Sequence, residues 1–97
     1  MKILAIEKEI KGIEPSKMQP HLKNEARAVW KLQQAGIIRE IYFTQKSHCA
    51  VIILECGSAP DAMNILNSLP LVKENLISFD VIPLVPYDGF ERLFNNK

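Results

Sequence analysis

Ala50-Val51-Ile52-Ile53-Leu54 constrains this chain more than any other segment, because it is apolar at every position. Successive side chains of a strand point to opposite faces, so an unbroken apolar run needs cover on both. An antiparallel strand with one wet face alternates instead. The run belongs to a longer segment, His48 to Cys56, which comes after Ile37 to Gln45 across the polar pair Lys46-Ser47. Both segments are rich in β-branched and aromatic residues, and together they read as a hairpin.

The flanking sequence supplies the remaining elements. Residues 2–9 alternate weakly around Ile3, Leu4 and Ile6, which predicts a first strand. Gly12, Pro15 and Pro20 punctuate the next stretch of chain. Proline breaks a helix interior but suits the first helical position, so the long helix is expected to start near Pro20 and to end at Gly36. Ser58-Ala59-Pro60-Asp61 places a capping residue, a proline and an acid at the head of a second helix running to about Ser68, closed by Leu69-Pro70. Leu76 to Ile82 predicts a fourth strand, with Pro83 and Pro86 confining its end to an edge or an exit. The segment 85–97 forms a C-terminal aromatic tail in which Tyr87, Phe90 and Phe94 are three of the seven aromatic residues, and such a tail is usually docked on something.

The order βαββαβ predicts one α+β domain over residues 1–97, with a four-stranded antiparallel sheet carrying both helices on one face, the ferredoxin-like arrangement. The opposite face has no helix to cover it. With the third strand apolar on both sides, a second copy is the simplest cover, so a sheet-to-sheet homodimer or a higher homo-oligomer is expected. Size points the same way: a chain of 97 residues buries only about 60–65% of its unfolded surface on folding.

Composition narrows the partners. Twelve Lys+Arg stand against eleven Asp+Glu, a net charge of +1 without a basic run, so no nucleic-acid partner is expected. The opening Met1 to Lys8 is too short in its apolar run for a signal peptide or a span, which predicts no membrane association and a cytoplasmic protein. Cys49 and Cys56 are seven residues apart in one strand and face opposite ways, and the histidines His21 and His48 lack metal-ligand spacing. Reduced thiols are expected, and neither a metal site nor a disulfide framework is. There is no glycine-rich phosphate loop and no nucleophile elbow, so no cofactor and no covalent catalysis are expected.

Glu25 is the most informative polar residue. Leu22, Val29 and Leu32 define the apolar stripe of the long helix, and at about 100° per residue Glu25 falls inside it. A carboxylate facing a core costs several kcal/mol unless it is paired or neutralised. It is either one half of an ion pair, with Arg39 the expected cation, or a general base whose pKa is raised by desolvation. Arg39 shares parity with Ile37, Ile41 and Phe43 on the second strand, and it reads either as an anchor for an anionic or enolate oxygen or as a salt-bridge or rim residue. His21 lies four residues before Glu25, so it shares that side of the helix or merely starts it. Trp30 and Tyr42 line a substrate pocket or are plain core, and His48 reads as a solvated hairpin residue.

Glu25 in the long helix, Leu32-Gln33 with Gly36 beyond it, Arg39 with Ile41-Tyr42, and Leu69-Pro70-Leu71 before the last strand together resemble the muconolactone delta-isomerases of the dimeric α/β-barrel superfamily. The resemblance runs along most of the chain. It implies a small-molecule pocket with Glu25 and Arg39 at the matching carboxylate and arginine positions, and cofactor-free proton transfer on an unsaturated lactone by an assembly of dimers. Glu40 stands where that family has a histidine and Ile38 where it has a tryptophan, which implies a pocket of different charge and shape.

Three functions are expected on these grounds. The first is a cofactor-free isomerase that moves a proton beside a carbonyl of a small organic acid or lactone, with Glu25 as base, Arg39 and His21 as its electrostatic support, and Trp30 and Tyr42 against the substrate. The second is a non-catalytic small-molecule-binding or assembly module in which Glu25 and Arg39 are a structural pair. The third is a cofactor-free monooxygenase of the same superfamily.

Overall fold

A computed structural model describes residues 1–94 of the chain. Strand β1 spans Lys2–Glu9, a one-turn helix α1 Pro15–Met18, helix α2 Leu22–Gln34, strands β2 and β3 Ile38–Phe43 and Ala50–Glu55, helix α3 Ala59–Asn67, a one-turn helix α4 Pro70–Lys73, and strand β4 Ile77–Leu84. Short 3₁₀ turns occupy Gln19–His21 and Gly89–Leu93.

The four strands form one antiparallel sheet in the order β2-β3-β1-β4, which is the ferredoxin-like arrangement predicted from the element order. Both helical layers pack on the face carrying Ile3, Ala5, Ile52 and Leu54, where Ile38, Ala62, Leu66 and Leu69 complete a core of side chains almost closed to solvent. A second small cluster, Leu71, Leu76 and Ile77, joins α4 to β4. Alternation in β3 is regular, with Ala50, Ile52 and Leu54 buried and Val51, Ile53 and Glu55 only partly so. The register Leu4↔Ile53, Ile6↔Val51 and Leu4↔Ile82 places these residues together on the outer face, which none of the described helices covers.

Local chemistry explains the boundaries. The Ser58 hydroxyl accepts from the Asp61 N–H at 3.2 Å and so caps α3 at its predicted start. Gly36 ends α2 at φ +79°, with the Gly36 N–H donating to Gln33 and the Ile37 N–H to Leu32, each at 3.0 Å, the paired bonds of a Schellman motif. Asn75, at φ +58°, ends α4 in the same way through Leu76 N–H to the Leu71 carbonyl.

Several boundaries differ from the sequence expectation. The helix expected from Pro20 begins at Leu22, behind a separate turn that has Pro15 at its head, because Pro20 offers no N–H and sits in a 3₁₀ turn between the two helical pieces. Leu69-Pro70 closes α3 but also opens α4, with Pro70 at the first helical position. His48 does not begin β3: it lies in the turn at φ +55°. Strand β4 continues through Pro83 to Leu84, and its place at the sheet edge is where proline is tolerated.

Among the described residues the tail does not dock on its own chain. Tyr87 and Phe90 meet edge to face at 4.9 Å, while Val85, Leu93 and Phe94 are each more than three-quarters exposed. The radius of gyration is 16.2 Å, against about 12–13 Å for a compact chain of this length. Residues 95–97 of the tail lie outside the described residues.

Candidate functional site

Helix α2 rests on the core through Ala28, Val29 and Leu32, in its C-terminal half. Its N-terminal half stands away from the sheet, leaving Leu22 42% exposed and not one residue of the helix fully buried. The space beneath is an open-mouthed cavity of about 620 Å³, bounded by the ends of β1, β2, β3 and β4 and by α4. Its walls are mostly apolar, and Glu25 projects into it from α2.

Glu25 is half-buried, and its Oε1 accepts from the Leu71 N–H at 2.9 Å. That amide, in the first turn of α4, has no partner within its own helix, so the carboxylate satisfies an otherwise orphaned donor. Burial raises the Glu25 pKa above the usual carboxylate value, the Leu71 bond works in the opposite direction, and the negative charge of Glu7 raises it further. Among the described residues nothing else bonds this carboxylate, which leaves Oε2 available to a ligand.

Glu7 is the second carboxylate of the cavity. Parity along β1 puts it on the same face as Ile3 and Ala5, opposite Phe79 of β4. Its Oε1 accepts the Ala50 N–H at 2.9 Å, which holds it at the cavity wall. The strand pattern of residues 2–9 contained this signal, but Leu4 and Ile6 are apolar as well and obscured which parity faces inward. His48 also lines the cavity, its ring stacked on Phe43 with centroids 3.9 Å apart. His48 is exposed in the hairpin, as expected, and its left-handed backbone turns the ring back over β2.

The other sequence candidates divide. Trp30 borders the cavity, although it remains 58% exposed, whereas Tyr42 pairs with Val51, so its ring lies on the outer face of the sheet, where its hydroxyl donates to Glu40 Oε1 at 2.8 Å, and not against a ligand as expected. Arg39 and His21 do not line it. The register of β2 against β3 slips between Ile38 and Glu40, so Arg39 is the extra residue of a β-bulge and the parity linking it to Ile41 and Phe43 does not hold. Arg39 is exposed, donates through Nε to the Gly36 carbonyl, and makes no ion pair with Glu25. His21 ends the 3₁₀ turn before α2, outside the helical register that would have brought it under Glu25.

Among the described residues no group of three or more His, Cys, Asp or Glu side chains could hold a metal ion, both cysteines are free, and no helix is long and apolar enough to cross a membrane. No protein-family model matches the chain, nor does any curated protein. Solved structures do. The crystal structure of muconolactone isomerase superposes with a TM-score of 0.73 over 92% of this chain and 93% of that one, at 18% sequence identity.

The chain has the muconolactone isomerase fold. The structure of 5-chloro-2-hydroxyhydroquinone dehydrochlorinase from Burkholderia phenoliruptrix AC1100, in complex with 2,5-dihydroxybenzoquinone, shares that fold with a TM-score of 0.66, 17% identity and coverage of 92% and 98% of the two chains. The muconolactone isomerase fold thus carries more than one named activity, and the likeness to it is one of architecture.

Proposed function

We propose that the protein is a cofactor-free enzyme of the isomerase kind, which moves a proton beside a carbonyl of a small organic acid or lactone with Glu25 as general base. The observation that carries this reading is a carboxylate half-buried in an apolar cavity, held through one oxygen by the Leu71 amide while the other faces the space a ligand would fill. Desolvation raises its pKa above the usual carboxylate value, which strengthens it as a base. Trp30 and Phe79 supply flat apolar walls that would fix the ring of a bound substrate against the base. That both structural neighbours bear the names of enzymes acting on small organic molecules supports the reading.

Arg39, outside the cavity, has no direct part in this scheme. The active form is proposed to be a cytoplasmic sheet-to-sheet homodimer, in keeping with the free thiols and with the apolar patch of Leu4, Ile6, Val51, Ile53 and Ile82 on the outer face. The test of the chemistry is Glu25→Gln, which keeps an acceptor for the Leu71 amide and removes the base. Turnover of an enolisable lactone should fall by roughly 10²- to 10⁴-fold with the fold intact. Full turnover by that variant would overturn the assignment.

A further inference from the structure

The cavity has an electrostatic sign. Its walls contain two carboxylates, Glu7 and Glu25, and neither lysine nor arginine. The one nitrogen base among its lining residues is His48, which is exposed in the hairpin with its ring stacked on Phe43. Arg39, the residue whose sequence position suggested an anion anchor, is turned outward on its bulge toward the Gly36 carbonyl. Among the described residues Glu7 makes no ion pair, so its charge is offset only by the Ala50 amide that it accepts.

An anion entering such a space loses its hydration among apolar walls and meets like charge instead of a counter-ion. An uncharged lactone meets neither penalty, and its ring suits the apolar and aromatic lining. We infer that Glu7 is a specificity-determining residue of this cavity, and that it restricts the cavity to molecules without negative charge, so that the substrate is an uncharged unsaturated lactone and not an organic anion. The inference deepens the isomerase reading by choosing between its two substrate classes, and it rests on that reading for the identity of the site. It does not depend on turnover.

Binding of two matched probes to the full chain decides it: a methyl-substituted unsaturated γ-lactone, and the same ring with a carboxymethyl group in place of the methyl. The amide resonances of Ala50 and Leu71, each bonded to one of the two carboxylates, report occupancy at pH 7. The wild type should bind the uncharged lactone at least about tenfold more tightly than the anion, the equivalent of about 1.4 kcal/mol. Glu7→Gln, which keeps an acceptor for the Ala50 amide, should narrow that ratio to about twofold through gained affinity for the anion, since removing the like charge removes the discrimination. Equal or tighter binding of the anion by the wild type would overturn the inference, whether or not the variant folds. An unchanged ratio in a folded Glu7→Gln would overturn it too. Tight, selective binding of the uncharged lactone without turnover would count against the isomerase reading alone, while failure of both probes to shift either amide at millimolar concentration would sink both.

Discussion

The Leu71 N–H donates to Glu25 Oε1 across 2.9 Å, tying the first turn of α2 to the first turn of α4. The helix that holds itself off the sheet to make the cavity is thus pinned by the same carboxylate that the cavity uses.

A raised pKa makes Glu25 a source of pH-dependent stability with a definite sign. The folded chain holds this proton more tightly than the unfolded chain, so its contribution is fully present below the usual carboxylate value of 4.5 and is lost as pH rises through the raised folded value. Urea denaturation across that interval should show wild type losing stability relative to Glu25→Gln as pH increases. Parallel curves for the two proteins would mean that Glu25 is not desolvated.

Arg39→Ala should leave ligand affinity and turnover within about twofold of wild type, as expected of an exposed residue outside the cavity. Steady-state kinetics and ligand titration check this. A loss of a hundredfold would return the arginine to the site and require the bulge to rearrange on binding.

Ile53 pairs with Leu4 on the outer face of the sheet, at the centre of its apolar patch. Ile53→Lys should convert an assembled species into a monomer in light scattering at micromolar concentration, because a charge facing its symmetry mate cannot be paired there. A wild type that already runs as a monomer would refute the assembly.

Gly36 holds φ +79° between α2 and β2 with open space where a side chain would go. Gly36→Ala should therefore cost about 1–2 kcal/mol through backbone strain alone. Thermal melts should register this as a modest drop, while a neutral result would show that the Schellman turn relaxes.

Much of the fold was legible because local chemistry and tertiary need agree. The doubly apolar Ala50 to Leu54, the Ser58 cap and the Gly36 terminus each have one physical reading, and the sheet, α2 and α3 are built around them. Glu25 was legible for the opposite reason, since a carboxylate inside an apolar stripe contradicts its surroundings. The features that escaped depend on pairing between strands. The bulge at Arg39 is defined only by β2 against β3, so counting parity along β2 alone put the arginine on the wrong footing. Glu7 and His48 reach the cavity through the choice of inward face and through a left-handed turn, neither of which the residue types announce.

The bulge has a bearing on how this fold tolerates change in length. Ile38 pairs with Leu54 and Ile41 with Ile52, both on the helix side, while Glu40 opposite Ile53 faces outward. Take Arg39 out, and Ile38, Glu40 and Ile41 alternate as an ordinary strand with every face assignment kept. The strand can shed that one residue and still present the same wall to the cavity, so a single-residue deletion at Arg39 should leave the lining unaltered, where one at Ile41 would bring Glu40 into the wall in its place.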